Sequence, residues 1–129
     1  RRCLVPATGF YEWRKSDDSK QPFHIQRSDG QPLAFAGLWS ANTRGAESVV
    51  SCTILTVAAN RDMEALDDRM PVILEPDAWA RWVDPQEFDP QRLEDLLVPA
   101  DQGTLTMYPV RRAVGNSRVN EPNLISPLA

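Results

Sequence analysis

Little in this sequence can hold a metal or make a covalent crosslink within the chain. There are two cysteines and one histidine in 129 residues. Cys3, Cys52 and His24 are spread so widely that none has ligand spacing to another, which argues against a zinc site. One disulfide would satisfy the count, but both cysteines sit in apolar runs, and buried free thiols are the expectation. No apolar run approaches the length of a membrane span. Nor is there a secretory signal, because Pro6 and Gly9 interrupt the short apolar stretch after Arg1 and Arg2. The eleven prolines are scattered, which leaves no linker, and there is no repeat or low-complexity tract. These absences leave a single domain over residues 1–129, with no cofactor called for, no membrane and a cytoplasmic location expected. The first residue is Arg rather than Met, so a processed product or a portion of a longer protein is expected.

What is present has the balance of a folded domain. Hydrophobic residues make up 42% and charged residues 25% of the chain, and apolar runs recur throughout, which excludes extended disorder. The net charge of −4 disfavours a nucleic-acid partner, but the charge is segregated. Residues 1–30 hold six basic and four acidic side chains, and residues 103–129 hold three and one, so each sums to +2. Residues 84–102 sum to −5, from one basic and six acidic side chains. Such a chain can present a basic face while its total stays acidic; ordinary surface scatter is the competing reading.

The first half reads as β. Cys3–Val5 is a short apolar run, and Phe10-Tyr11-Glu12-Trp13 is an aromatic stretch with strand propensity. Residues 16–21 are polar and read as a loop. Phe23–Gln26 alternates like a half-buried strand, and Asp29-Gly30 signals a hairpin turn before a strand at Leu33–Trp39. Thr43–Glu47 reads as a loop. Val49–Val57, long and β-branched, reads as a central strand. Helical signals follow. Pro76 suits a first helical position, with Ala78, Trp79, Trp82 and Val83 on one face. Asp89-Pro90 reads as an N-cap and first position of a helix to about Val98, with Leu93, Leu96 and Leu97 inward. Leu105–Val110 returns to strand, and the last twenty residues read as an ordered tail across the sheet. Trp39, Trp79, Trp82, Met63 and Met107 fit core positions. The sum is a mainly β, α+β domain with two short helices.

Four segments carry a resemblance. Arg1-Arg2-Cys3-Leu4-Val5-Pro6-Ala7 precedes Gly9-Phe10-Tyr11-Glu12-Trp13. Thr53-Ile54-Leu55-Thr56 precedes Ala59-Asn60. Asp68-Arg69-Met70-Pro71-Val72-Ile73-Leu74 follows. Tyr108-Pro109-Val110, Val114-Gly115-Asn116 and Leu124-Ile125-Ser126-Pro127 close the chain. Each alone is a weak signal. Together, in order and at spacing, they resemble the C-terminal part of the SRAP (SOS response-associated peptidase) family. That resemblance implies a twisted, barrel-like β fold with a few short helices, and single-stranded DNA containing abasic sites as the partner. It also implies nucleoid association when DNA is bound. Intact members use an N-terminal cysteine, uncovered by self-removal of the initiator Met, whose amine and thiol form a thiazolidine crosslink with the abasic aldehyde. Peptidase, hydrolase and lyase activities are implied in the same way.

The resemblance also implies site residues. Glu12 matches the family's catalytic glutamate; a carboxylate with its pKa raised by burial among aromatics can exchange a proton near neutral pH. The plain alternative is an outward residue of an edge strand. Arg69 matches an arginine that contacts phosphate, for which a guanidinium fork is suited; a salt bridge to Asp67 or Asp68 is the alternative. Thr56 matches a pocket residue near the sugar, or is simply a strand end. Trp13, beside Glu12, and Asn116 and Arg118, in the basic C-terminal segment, are further candidates for DNA contact. Glu12 and Arg69 are expected to share one cleft.

Two departures stand out. Family members are longer, and the N-terminal Cys, Asn and Arg of the implied site have no counterpart in these residues. Cys3 is no substitute, because Arg1 and Arg2 precede it and leave no α-amine beside its thiol. Second, Asp67 stands where the family has a catalytic His. An ordinary Asp is a carboxylate at pH 7 where a His titrates, so Asp67 can act as a base but supplies no cation. His24 lies mid-strand and reads as a packing or surface residue. Three readings follow: an SRAP enzyme lacking its front segment here, a degenerate paralogue that binds DNA without covalent chemistry, or a protein-interaction module on the same fold. Loss of a sheet-completing segment would leave a strand edge and apolar surface exposed.

Overall fold

The computed structural model describes residues 1–16 and 19–129. Of the polar loop expected at 16–21, residues 17 and 18 lie outside the described residues, and Ser16, Ser19, Lys20 and Gln21 belong to strands instead. Alternation and β-branching produce eight strands: β1 (Arg2–Ala7), β2 (Phe10–Ser16), β3 (Ser19–Arg27), β4 (Leu33–Asn42), β5 (Val49–Ile54), β6 (Thr56–Ala58), β7 (Arg69–Pro71) and β8 (Leu105–Pro109). They form two three-stranded antiparallel sheets, ordered β1-β4-β5 and β2-β3-β8, and a β6-β7 pair. One helix, α1 (Pro76–Val83), follows β7. The mainly β, α+β class expected of the sequence is what the chain adopts.

β4 lies between two layers of core. Phe35 and Ala36 are neighbours on a strand and so point to opposite faces. Phe35 enters a cluster with Phe23, Ile25, Leu33, Met63 and Met70, between the two large sheets. Ala36 enters a second cluster with Val72, Leu74, Trp82 and Leu93, beneath α1. Backbone bonds stitch the layers: Leu55 N–H donates to the Ala36 carbonyl at 3.0 Å, and Ala36 N–H to Val72 at 3.0 Å. Arg2 closes the far end of α1. Its guanidinium donates to the carbonyls of Trp82 at 2.5 Å and Asp84 at 2.6 Å, which meets acceptors at the helix C-terminus with a cation, and to that of Glu87 in the turn beyond at 2.9 Å.

Several expectations change. Asp29-Gly30 does turn the chain, with Gly30 at φ 75°, but it is no hairpin. β3 pairs with β2 and β8, whereas β4 pairs with β1 and β5, so the turn passes the chain from one sheet to the other. Val49–Val57 is not one central strand. It breaks at Leu55 into β5 and β6, and β5 is an edge strand exposed at all six residues. Val49 and Val50 are 58% and 67% exposed. Neither thiol is buried: Cys3 is half-buried and Cys52 exposed, because β5 has no covering layer here. Trp79 is exposed and Trp39 half-buried, against the core role expected, while Trp82 and Met63 are buried. Trp79 still anchors its ring edge through Nε1–H to the Leu74 carbonyl at 2.9 Å.

The second helix is a 3₁₀ helix over Pro90–Leu96 rather than an α-helix to Val98. Pro90, Leu93 and Leu96 recur at three residues, the 3₁₀ period, which brings Leu93 into the core under α1. The Asp89 cap is as expected, its Oδ1 accepting from Gln91 N–H at 3.0 Å. The C-terminal tail is ordered across the β2-β3-β8 sheet: Tyr108 Oη donates to the Ile125 carbonyl at 2.7 Å, and Leu128 N–H to Pro109 at 3.0 Å.

Candidate active site

The site candidates arrive from three places. The β2–β3 pairing sets Glu12 opposite Phe23 and Trp13 opposite Pro22. β2 is an edge strand of its sheet, so side chains near its end reach the rim. The turn before β7 brings in Asp67, whose Oδ1 accepts from Arg69 N–H at 2.9 Å. A short 3₁₀ turn, Arg112–Gly115, packs over β3 and presents Gly115. Glu12, Trp13, Asp67 and Gly115 then line one open cavity of about 330 Å³, together with Lys20 from the start of β3. Two carboxylates separated by more than fifty positions in sequence thus face the same space. Both Glu12 and Asp67 are half-buried.

The expected sharing of a cleft by Glu12 and Arg69 is not what the geometry gives. Arg69 is not among the residues lining that cavity. Its guanidinium donates to the Thr56 carbonyl at 2.7 Å and to Thr56 Oγ1 at 3.2 Å. Neighbouring strands β6 and β7 cause this, with Thr56 opposite Pro71 and Ala58 opposite Arg69. Arg69 and Thr56 therefore form a pair of their own, two positions along the chain from Asp67. Arg69 makes no salt bridge to Asp67 or Asp68 among the described residues. Asn116 and Arg118 form a local turn, Arg118 N–H donating to Asn116 Oδ1 at 3.0 Å. Both are exposed and follow directly on Gly115.

Lys20 went unnoticed in the sequence. The available signal was the hairpin itself: a strand beginning just after the polar loop puts its first residues level with the end of the aromatic strand. His24 is a packed residue, 3% exposed. Its ring lies between Tyr11 and Tyr108, with centroids at 5.5 and 5.4 Å. Burial without a polar partner for Nδ1 holds the imidazole pKa below its ordinary value. Burial raises the Tyr11 pKa, with Tyr108 adding to the effect.

A larger cleft of about 640 Å³ lies elsewhere, bounded by Leu4, Pro6, Leu33, Leu74 and Trp79. Its walls are mostly apolar, with Arg27, Asp29, Gln31 and Glu75 at its border. Its one cation, Arg27, is held by Asp29 at 2.9 Å and Glu75 at 3.0 Å. That clamp raises the Arg27 pKa and lowers that of Asp29, chiefly through their hydrogen bond. Both carboxylates there, Asp29 and Glu75, are engaged by Arg27. Among the described residues no cluster of His, Cys, Asp and Glu could hold a metal ion, and no helix is long and apolar enough to cross a membrane.

A sequence profile of the SOS response associated peptidase (SRAP) family matches residues 1–117. The chain belongs to the SRAP family. It is 39% identical over 127 residues to the abasic site processing protein YoqW of Bacillus subtilis, covering 97% of this chain and 57% of that protein. It is 35% identical over 131 residues to the abasic site processing protein YedK of Escherichia coli, covering 98% and 58%. A crystal structure of a protein from Bacteroides thetaiotaomicron superimposes with a TM-score of 0.88 at 26% identity, covering 99% of this chain and 57% of that one. This SRAP chain therefore spans a little over half the length of the relatives it matches.

Proposed function

We propose that this SRAP chain supplies the carboxylate half of a site that processes abasic sites in single-stranded DNA. The convergence of Glu12 and Asp67 on one cavity carries the reading. An abasic site ring-opens to an aldehyde. Addition to an aldehyde carbon needs a proton delivered to the developing alkoxide and another removed from the nucleophile. A half-buried carboxylate is suited to both transfers. Glu12 fills that role, with the Trp13 indole forming a wall beside it. Asp67 lines the same cavity, where it can take a proton but adds negative charge where a phosphate backbone would run. Arg69, on the next strand, and Arg118, near Gly115, offset that charge with guanidinium donors for phosphate. Thr56 positions Arg69 rather than the sugar, since its carbonyl and hydroxyl both accept from the guanidinium.

In this reading the thiazolidine crosslink needs an N-terminal cysteine, which the described chain does not present; Cys3 lies within β1 behind Arg1 and Arg2. Peptidase and lyase activities, the choice of single strands and a cytoplasmic, nucleoid-associated location belong to the same proposal. The test is covalent capture. Protein of full natural length, mixed with a single-stranded oligonucleotide bearing one abasic site, gives a band stable in a denaturing gel. Glu12→Gln slows its formation about a hundredfold or more. A second reading, a paralogue that binds DNA without the covalent step, draws its support from Asp67 in the place of a histidine. It predicts salt-sensitive binding with no stable band, and a band once Asp67→His is introduced. Absence of DNA binding by all forms sinks both readings and leaves a protein-interaction module.

A further inference from the structure

Resting on that reading of the pocket, we propose that Gly115 is where the sugar–phosphate backbone of the bound strand approaches the protein most closely, and that it admits the strand by having no side chain. Six glycines occur in the chain, and four of them answer to the chain's own needs. Gly30 and Gly103 hold left-handed backbone, at φ 75° and 90°. Gly9 and Gly37 are crowded. An added β-carbon would lie 2.4 Å from His24 Nε2 at the first, and 3.0 Å from Cys3 Sγ and Val5 Cγ2 at the second. Gly115 has neither reason. Its backbone is not left-handed, and an added β-carbon would meet no described atom within 4 Å. It closes a 3₁₀ turn, where alanine is the better residue because glycine loses more backbone freedom on folding. The chain's own physics thus favours a side chain at this position. Yet Gly115 lines the cavity shared by Glu12, Trp13 and Asp67, and a glycine on a cavity wall lets a ligand come directly against main chain. Gly45 is also roomy, with the Glu47 carbonyl oxygen at an ordinary 3.7 Å from an added β-carbon, but it lies in an exposed loop and does not line the cavity.

The surroundings of Gly115 give the chemistry of what approaches it. Arg112 opens the same turn, and Arg118 follows three residues after the glycine. Both are exposed, and among the described residues neither guanidinium has an ion-pair partner. Arg111, beside them, is taken by Glu121 at 3.4 Å and by Asn123 at 2.8 Å. Two available guanidiniums on either side of bare main chain suit a phosphodiester, whose charge they meet and whose sugar needs the room. The segment is also held in shape. Asn116 N–H donates to the Ala113 carbonyl at 3.0 Å and Val119 N–H to the Asn116 carbonyl at 2.9 Å. Asn116 Oδ1 accepts from Arg118 N–H at 3.0 Å, which fixes the backbone that carries Arg118.

Stability and binding separate a glycine kept for the ligand from one kept for the fold. Protein of full natural length is titrated with a single-stranded oligonucleotide carrying one tetrahydrofuran abasic analogue, which has no aldehyde and so reports binding alone. The midpoint of urea denaturation is measured alongside. Gly115→Ala should leave that midpoint unchanged or raise it, while affinity for the strand falls at least about fivefold, the lower end of what an extra methyl group costs in a packed contact. Gly115→Leu should weaken binding further. Gly45→Ala, at the other roomy glycine, should bind like the parent. Parental affinity in Gly115→Ala overturns the proposal. A lowered urea midpoint in Gly115→Ala also overturns it, because the glycine would then serve the chain's own packing. Failure of the parent itself to bind the strand overturns the functional reading, and this assignment with it.

Discussion

Gly9 opens the Gly-Phe-Tyr-Glu-Trp segment, and the structure gives its small size a calculable role. A β-carbon added there would lie 2.4 Å from His24 Nε2, 2.6 Å from His24 Cε1 and 2.7 Å from the Ile25 carbonyl oxygen. Neither neighbour can yield. The imidazole is wedged between the Tyr11 and Tyr108 rings, and the Ile25 backbone sits mid-ladder, paired with Phe10 on one side and Met107 on the other. Gly9→Ala therefore forces backbone movement at the head of β2, at a cost of about 2–3 kcal/mol, the range of an overpacked core. For a domain of this size that lowers the melting temperature by roughly 6–12 °C, and urea denaturation should show a lower midpoint at unchanged slope. The double variant Gly9→Ala/His24→Ala removes the ring but not the Ile25 carbonyl. It should show a favourable coupling of about 1 kcal/mol or more between the two sites. Gly9→Ala within about 0.5 kcal/mol of the parent, or strict additivity in the double variant, would refute the packing argument.

Three further outcomes follow from the same geometry. As the only histidine, His24 gives a single imidazole signal in proton NMR; its midpoint should lie below the ordinary 6.5. The neutral form is the folded one, so its stabilising share is complete above pH 6.5 and is lost as pH falls through the folded pKa, at no more than about 1.4 kcal/mol per pH unit; a midpoint at or above 6.5 contradicts this. Arg2→Ala leaves the carbonyls of Trp82, Asp84 and Glu87, at and just beyond the end of α1, without their donor and should cost about 2–3 kcal/mol, with faster amide exchange over residues 76–89; unchanged exchange there would argue against the clamp. Arg69→Ala should weaken single-stranded DNA binding and reduce the slope of log affinity against log salt by about 0.7–1, one phosphate contact, whereas an unaltered slope removes Arg69 from the interface.

Features legible in the sequence were those decided by near neighbours along the chain. The strand at Phe23–Gln26, the Asp89-Pro90 cap and the Pro76 helix start depend on backbone sterics and hydrogen bonds within one turn or one strand, and all three form; the half-buried alternation expected of that strand does not, because His24 is buried along with Phe23 and Ile25. The four SRAP segments were legible too, and the family they indicate is the one to which the chain belongs. Pairing and covering were not. Asp29-Gly30 has the chemistry of a hairpin turn, yet whether two strands joined by a turn pair with each other depends on which other strands compete for their edges. Here β8 and β2 flank β3, and β1 and β5 flank β4. β-branching in Val49–Ile54 reported a strand but not its place at an edge, because propensity does not say what lies on either face. The exposure of Cys52 and Trp79 follows from the same non-local fact.

The residue types of the candidate site could be read from the chain alone; their grouping could not. A carboxylate, an aromatic, an acidic residue in the place the resemblance gives to a histidine, and an arginine suited to phosphate were all identifiable by type and motif. Only the tertiary structure put Glu12, Trp13, Asp67 and Lys20 around one cavity and set Arg69 against Thr56. Motifs are defined by order along the chain, whereas a cavity is defined by which sheet edges and turns meet in space. That meeting is set by the packing of Phe35 and Ala36 on the two faces of β4, through contacts between residues far apart in sequence.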